Sequence, residues 1–252
     1  MLPSDTKTTI GQPFLELASV ESTNIYAMEL LQANLAGHGA AFFAHHQTAG
    51  KGQRGRSWTA EPGQNIALSV IVDASFLAIT HQFPLSSMAA VASYDFFSKY
   101  AGDETRIKWP NDLYWRDRKA GGILIENLVR GNKWQGSVVG IGINLNQTVF
   151  PPLARNPVSL KQITGKQSDP VTMARELCRC LEKRFVQLKN GDEAGLLEIY
   201  NRALYKREEE VRLRYGSVGF NGRIQEVTAD GDLRVSGGWK DRFRFGELEW
   251  VI

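Results

Sequence analysis

HHQTAGKGQRGRSW, residues 45–58, is the stretch on which the assignment of the fold depends. Its glycines fit the dinucleotide fingerprint G-x-G-x-x-G, and they also fit the phosphate-binding pattern G-x-x-x-x-G-K-[ST] with Arg56 in place of lysine. Both patterns require an α-helix directly after the glycines, because the phosphates bind at its N-terminus. Here the chain continues SWTAEPGQN, in which Pro62 and Gly63 interrupt any helix, and a strand follows. The sequence therefore argues against both nucleotide-binding folds.

The same loop still has the composition of an anion-binding segment. Gly50, Gly52 and Gly55 allow backbone N–H groups to approach an anion closely. Positive charge surrounds these glycines at Lys51, Arg54 and Arg56, and Trp58 offers an apolar wall. On this segment alone, a mobile and solvated basic turn is an equally good interpretation.

Hydrophobic periodicity outside the loop predicts strands and helices without strict β-α-β alternation. Strands are predicted at 13–20, 40–47, 65–72, 106–110, 113–116, 120–129 and 134–146, and helices at 22–31, 81–100, 170–190 and 193–204. Because strands follow strands directly, we predict an α+β fold with a mixed or antiparallel sheet.

The C-terminal segment has a different pattern of apolar and turn-forming residues. From Glu210 onward, short apolar stretches alternate with the turn signals YGSVG, TADGD, SGGWKD and FGE. Such spacing predicts five short strands in a small β-barrel. We therefore expect two domains, residues 1–205 and 206–252.

Composition bounds the classes of function. The chain of 252 residues is 42% hydrophobic and 23% charged, which suffices for an ordinary globular core. No stretch approaches the roughly 20 apolar residues of a membrane helix, and the polar N-terminus lacks a secretory core. Cys178 and Cys180 fit neither a disulfide framework nor a zinc site. We expect a reduced, cytoplasmic protein. Its net charge of +3 suits an anionic substrate or an acidic partner protein and is too small to indicate nucleic acid.

Two further stretches carry features that a plain core does not need. KWPNDLYWRDRKAGGILIEN (108–127) places Asp112 before a predicted hairpin and Lys119 just after its tip, followed by Ala, Gly and Gly. VVGIGINLN (138–146) has Gly140 and Gly142 inside an apolar strand, where they weaken it unless a backbone or ligand approaches closely. A lone lysine such as Lys119 is more often solvated surface.

Together these stretches resemble the biotin–protein ligase family, also called biotin–[acetyl-CoA-carboxylase] ligases. The resemblance covers nearly the whole chain from about residue 13. It is carried, in the family's order, by Ser22-Thr23-Asn24, Gln47, GKGQRGRSW, KWPND, Lys119 before AGGIL, and GIGIN (140–144). The C-terminal segment ending GELEWVI is similar to the family's small SH3-like barrel.

The resemblance implies a two-step reaction. The carboxylate of biotin attacks the α-phosphate of ATP, supplied with Mg²⁺, to give biotinyl-5'-adenylate and pyrophosphate. A lysine of a biotin carboxyl carrier protein, from acetyl-CoA carboxylase or a related carboxylase, then attacks the mixed anhydride. Such chemistry needs positive charge and N–H donors where negative charge develops, and a site that excludes water.

The resemblance also implies a role for particular residues. Ser22, Thr23 and Gln47 would bind the ureido ring, with Asn24 beside them, although Ser22 and Thr23 are equally explained as a helix cap. Residues that would cover the biotin carboxylate and the α-phosphate are Gly50, Lys51, Gly52, Gln53, Arg54, Gly55 and Arg56. The remaining expected site residues are Trp58, Asp112, Lys119, Gly121, Gly122 and Asn144.

Within that last group the expected roles differ. Lys119, with Lys51, would stabilise the attack, and Gly121 and Gly122 would flank the bicyclic ring. Asn144 would contact the adenylate.

Two assignments have an ordinary structural alternative. Asp112 would orient the incoming amine or help to hold magnesium, or it forms an Asx turn after Pro110. Trp58 is explained as well by an ordinary core aromatic. No protein ligand for a metal is assigned.

The chain departs from the family pattern at two places. Lys51 and Gln53 stand where arginine is common, and Gln53 removes a charge next to the expected adenylate. Only about a dozen residues precede the first predicted strand, so we expect no DNA-binding domain and no repressor function.

Three other functions remain open at this stage. A lipoate–protein or octanoyl ligase shares the catalytic fold. A nucleic-acid-binding protein could use the alternating aromatic and basic residues at 239–245, although alternation equally indicates a half-buried strand. The third is a catalytically inactive carrier-binding module. Monomer and homodimer are both compatible with the sequence.

Overall fold

A seven-stranded mixed sheet is the centre of the fold in the computed structural model, which describes residues 9–131, 133–151 and 156–251. Its strands are β1 (Phe14–Leu17), β2 (Ala41–Ala44), β3 (Ile66–Val72), β4 (Thr105–Lys108), β5 (Asp112–Trp115), β6 (Arg118–Arg130) and β7 (Lys133–Ile143). They lie in the order β1-β2-β3-β7-β6-β5-β4. Only β1 and β2 pair in parallel; the other pairs are antiparallel. The predicted α+β class is confirmed.

Helices cover both faces of this sheet. They are α1 (Thr23–Gln32), α2 (Phe83–Ala101), α3 (Leu160–Thr164), α4 (Pro170–Lys189) and α5 (Glu193–Arg202). Because side chains alternate along a strand, Phe42 faces the small core under α1 while Phe43 joins the main core, to which α2 and α4 contribute. The short helix α3 was not predicted. No helix in the described parts of the chain is long and apolar enough to cross a membrane.

The C-terminal segment forms a second, antiparallel sheet. Its strands are β8 (Glu210–Tyr215), β9 (Val218–Val227), β10 (Leu233–Ser236), β11 (Arg242–Phe243) and β12 (Leu248–Trp250), in the order β11-β10-β9-β8-β12. The five predicted strands are present. The sheet is open, since no pairing joins the short edge strands β11 and β12 in the segment described up to residue 251. Its inward side chains, such as Ile224 and Phe243, belong to the same hydrophobic cluster as the main core.

Two local predictions are settled by this topology. After the glycine-rich loop, only a single 3-10 turn at Gln53–Gly55 precedes β3, so no α-helix begins where a phosphate-binding fold would need one. The hairpin between β5 and β6 turns at residues 116–117. Lys119 is therefore the second residue of β6 and lies just after the tip of the hairpin, as predicted.

The KWPND segment is fixed by contacts from distant parts of the chain. Trp109 Nε1 donates to the carbonyl oxygen of Gly231, in the turn between β9 and β10, at 2.9 Å. Tyr200 of α5 donates its hydroxyl to Pro110 O at 3.0 Å, and Asn111 Nδ2 donates to Ile123 O at 2.6 Å. These bonds hold the start of β5 in one position, from which Asp112 projects.

Replacement of Tyr200 by phenylalanine tests this anchoring. The Tyr200 side chain is fully buried, so the Tyr200→Phe change leaves Pro110 O without its donor. We expect the free energy of unfolding to fall by about 1–2 kcal/mol, measured by urea denaturation. Tyr94→Phe is the matched control, because no hydrogen bond of its hydroxyl is recorded in the described structure. Equal stabilities of the two variants would contradict the anchoring.

Candidate functional site

A cavity of about 60 Å³ lies where the start of α1, the glycine-rich loop, the β5–β6 hairpin and β7 meet. It brings together eleven of the residues expected from the sequence. They are Ser22, Thr23, Asn24, Gln47, Lys51, Gly52, Gln53, Trp58, Asp112, Lys119 and Gly122. Segments as far apart in the chain as Ser22 and Gly142 thus converge on one small space.

One end of the cavity is a buried polar cluster at the N-terminus of α1. Gln47 Oε1 accepts from the backbone N–H of Thr23 at 2.8 Å and lies 3.0 Å from Thr23 Oγ1. Ser22 occupies the N-cap position, yet its side chain makes no capping hydrogen bond. The cap interpretation is therefore right for the position of Ser22 but not for its hydroxyl, and Gln47 satisfies the helix N-terminus instead.

The other end of the cavity carries an ion pair. Lys119 Nζ lies 2.6 Å from Asp112 Oδ1, with both side chains about a quarter exposed (29% and 24%). The pair lies over Gly122, where a Cβ atom would be 3.4 Å from Asp112 Oδ1 and 3.5 Å from Lys119 Nζ. Lys119 is therefore held in place by a carboxylate, and Asp112 starts β5 without a recorded Asx turn.

The glycine-rich loop is closed by its own backbone. Trp58 N donates to Gly50 O at 2.8 Å, Gly52 N to Arg56 O at 2.7 Å, and Arg56 N to Gln53 O at 3.3 Å. These three amides are consequently not free to bind an anion in this conformation, in contrast to the predicted nest. Lys51, Gly52 and Gln53 face the cavity all the same.

Trp58 closes the cavity by packing against β7 at Gly142. A Cβ atom on Gly142 would lie 2.5 Å from the indole ring, so only glycine permits this approach. The indole Nε1 is buried and has no hydrogen-bond partner among the described residues. A volume of about 60 Å³ is far below the roughly 300–1,000 Å³ of small-molecule sites, so loop 50–58 must move to admit a large ligand.

Six expected site residues do not line the cavity. Arg54 points away, with Nη1 3.3 Å from Gly246 O and its guanidinium over the ring of Phe245. Asn144 donates Nδ2 to Val158 O at 3.1 Å and lies 3.4 Å from Lys119 O, so it holds the backbone of Lys119. The others are Gly50, Gly55, Arg56 and Gly121.

Sequence reasoning missed several residues that the structure brings to the site. Asn111, within KWPND, lines the cavity but was not among the expected site residues. Gly140 and Gly142 also line the cavity, and their place inside an apolar strand had indicated a close approach to β7. The apolar lining comes from Ala67, Leu68, Ile123, Leu124 and Ile141, which read as ordinary core in the sequence. Nothing in the sequence pattern singled out Ser69 and Glu126, which hold Asn24 through hydrogen bonds.

Three of the residues at 239–245 that suggested nucleic-acid binding are buried or paired within the protein. Phe243 is fully buried, Lys240 pairs with Glu247 at 2.7 Å and Arg242 with Asp232 at 2.6 Å, as in a half-buried strand.

Burial raises the pKa of the Cys178 thiol to about 12, which disfavours the reactive thiolate. Residues 9–131, 133–151 and 156–251 contain no group of three or more His, Cys, Asp or Glu placed to hold a metal.

Comparison with known proteins gives a consistent picture. A sequence model of the "Biotin/lipoate A/B protein ligase family" matches residues 16–144. The chain is 33% identical over 227 residues to the biotin–[acetyl-CoA-carboxylase] ligase of Paracoccus denitrificans, covering 88% of this chain and 93% of that protein. It is 34% identical over 180 residues to the bifunctional ligase/repressor BirA of Bacillus spizizenii, covering 70% of this chain and 54% of that protein. The chain thus spans about half the length of the latter relative.

The fold is also similar to that of a solved structure. The biotin protein ligase from Aquifex aeolicus in complex with biotin and ATP superposes with a TM-score of 0.76 at 24% identity. The match covers 93% of this chain and 97% of that one, so it includes both sheets.

The Gly142→Ala change tests the closed state of the loop. The added methyl group would overlap the Trp58 ring, so we expect the loop to leave its closed position and to be cut by trypsin after Lys51, Arg54 or Arg56 at least several-fold faster. Cleavage is followed by mass spectrometry. Gly136→Ala on the same strand is the control, because its nearest neighbour is the tip of the Leu31 side chain at 3.3 Å. Equal cleavage of the two variants would show that Gly142 does not control the loop.

Proposed function

The chain belongs to the biotin/lipoate A/B protein ligase family, and on that premise we propose that it is a biotin–protein ligase. It activates biotin with ATP and then transfers biotin to a lysine of a biotin carboxyl carrier protein. The observation that carries this proposal is the cavity itself, in which a buried polar cluster and the Lys119 ammonium occupy opposite ends of an apolar chamber. Biotin has the same sequence of groups, namely a urea, an apolar body and a carboxylate.

The polar end favours biotin over a lipoyl or octanoyl group. Ser22, Thr23 and Asn24 are each less than 5% exposed, and Gln47 lies beside them. Thr23 and Asn24 are bonded within the cluster, whereas the described structure shows no partner for the Ser22 hydroxyl or Gln47 Nε2. A purely apolar chain would leave these two groups unpaired, which costs about 1–3 kcal/mol for each group that it buries. A urea supplies both N–H donors and a carbonyl acceptor, so it matches this end of the cavity.

The cationic end suits the activation step. A carboxylate oxygen of biotin attacks the α-phosphorus of ATP, the bond to the β-phosphate oxygen breaks, and pyrophosphate leaves. Lys119, oriented by Asp112, neutralises negative charge on the reacting oxygens, and Lys51 adds charge from the loop. In the second step the amine of the carrier lysine attacks the acyl carbon and AMP leaves.

Magnesium is expected to enter with the nucleotide. The described part of the chain has no cluster of three metal-binding side chains, and Asp112 is the carboxylate that lines the cavity. Magnesium sites of this kind use few protein carboxylates together with substrate phosphates. Asp112 is thus the residue placed to contribute one oxygen ligand.

The Lys119→Ala change tests the proposal directly. We expect biotin-dependent exchange of pyrophosphate into ATP to fall about 100-fold or more, because the principal cation at the reacting oxygens is lost. Lys166→Ala, an exposed lysine outside the cavity, serves as control. The wild-type protein should support exchange with biotin and not with lipoate. Exchange with lipoate alone would overturn the proposal in favour of the other branch of the family.

Gln53→Arg tests the effect of the departure in the loop. Gln53 lines the cavity without a charge, and Arg54 is turned toward Gly246, so it does not replace that charge. We expect the wild-type protein to release free biotinyl-adenylate faster than Gln53→Arg does. The measurement is single-turnover adenylate release without carrier protein. Equal rates would show that residue 53 does not retain the intermediate.

A further inference from the structure

We propose that Glu126, which does not line the cavity, is a positioning residue that fixes which atoms of the polar cluster donate and which accept hydrogen bonds. Through Asn24 and Ser69 it turns the Thr23 hydroxyl into an acceptor for a ligand N–H. The identity of that ligand as a urea rests on the proposed function. The hydrogen-bond polarity itself rests only on the contacts described below.

Glu126 determines the orientation of the Asn24 amide. Asn24 Nδ2 lies 2.8 Å from Glu126 Oε2 and 3.3 Å from the carbonyl oxygen of Leu124. A carboxylate and a carbonyl oxygen can only accept, so both contacts require the amide nitrogen on that side. Asn24 Oδ1 therefore faces Ser69, whose Oγ lies 2.6 Å away.

The next contacts form a row of oxygen atoms with too few protons. Gln47 Oε1, Thr23 Oγ1, Ser69 Oγ and Asn24 Oδ1 follow one another at 3.0, 2.7 and 2.6 Å. The two hydroxyl groups carry one proton each, while the three contacts need three. One contact in the row must therefore lack a proton.

Position along the row decides which contact that is. Asn24 Oδ1 can only accept, so the Ser69 proton goes to it, and the 2.7 Å contact then takes the Thr23 proton. The contact without a proton is the longest of the three, between Thr23 and Gln47. Gln47 Oε1 is satisfied there by the Thr23 backbone N–H at 2.8 Å.

This arrangement leaves an acceptor next to a donor in the cavity. Thr23 Oγ1 has lone pairs and no proton to give, while no partner for Gln47 Nε2 is recorded in the described ranges. A cyclic urea presents an N–H beside a carbonyl oxygen, which is the complementary pair. A ligand N–H directed at Thr23 Oγ1 would bond to a lone pair that no proton of the row occupies.

Gly140 keeps Asn24 in this position. A Cβ atom at residue 140 would lie 2.0 Å from Asn24 Oδ1, so the amide packs directly on the backbone of β7. Because Asn24 is only 4% exposed, it can reverse its two amide atoms but cannot swing away. Whether residue 126 can only accept or can also donate a hydrogen bond then sets the direction of the hydrogen bonds along the whole row.

Glu126→Gln changes that choice with little change in shape. A glutamine amide can donate to Asn24 Oδ1, so Asn24 can reverse and donate from Nδ2 to Ser69. Reversal gives up the long 3.3 Å contact with Leu124 O, but it adds the proton that the row lacks. The Ser69 proton then goes to Thr23, and the Thr23 proton goes to Gln47 Oε1. All three contacts then have a proton without a ligand. Thr23 Oγ1 keeps one free lone pair instead of two, so it is a weaker acceptor for a ligand N–H.

The test compares two ligands by calorimetry. For Glu126→Gln we expect the Kd for biotin to rise about tenfold, or about 1.4 kcal/mol, with the Kd for octanoate nearly unchanged. The Kd for ATP and kcat at saturating biotin should also stay close to wild type. Glu29→Gln, an exposed glutamate on α1, is the matched control and should leave all values unchanged. Equal weakening of biotin and octanoate would overturn the proposal, because a merely structural role affects both.

A readout without ligand separates this proposal from the proposed function. In the wild-type protein the Asn24 side-chain NH₂ should show nuclear Overhauser effects to the Glu126 side chain, and in Glu126→Gln to Ser69 Hβ. Unchanged effects in the variant would overturn the polarity argument even if biotin binds. The expected effects together with absent biotin binding would instead reject the biotin ligase function and leave the polarity intact.

Discussion

The close approach of side chains to the bare backbone of β7 is the constraint on which the site depends. Asn24 packs on Gly140 and Trp58 packs on Gly142, and a methyl group at either position would overlap them. The central strand of the sheet therefore gives up two side chains of its own core so that residues from α1 and the loop can reach it. Removing apolar side chains from a central strand weakens it, and the neighbours that fill the space restore the packing.

This constraint explains why the cavity has two different ends. On the side of Gly140 the space is filled by polar groups that are almost fully buried, and buried polar groups are costly unless each has a partner. The resulting network is therefore rigid and has a defined direction. Beyond Gly142 the partly exposed Lys119–Asp112 pair keeps its charge accessible. One end is built to recognise a neutral polar group, and the other to stabilise negative charge.

The C-terminal sheet contributes to the site although it does not line the cavity. It binds Trp109 through Gly231 O and meets Arg54 at Gly246, so it contacts both the KWPND segment and the glycine-rich loop. A Cβ atom at Gly246 would lie 3.0 Å from the Arg54 guanidinium, which shows how closely the two parts pack. A displacement of Arg54 with the loop would therefore break this contact. The proposed boundary near residue 205 stays a prediction, since one hydrophobic cluster spans both sheets.

The sequence by itself determined the class of the fold and most of the residues around the cavity. Local periodicity located the long strands and helices, and the proline and glycine after the loop excluded a phosphate-binding helix, because such features act over a few neighbouring residues. Only the tertiary structure decided the direction of Arg54, the indirect role of Asn144, the open C-terminal sheet and the contact of Glu126 with Asn24. Those features depend on contacts between segments far apart in the chain, and a side chain's local pattern carries no information about which distant partner it will meet.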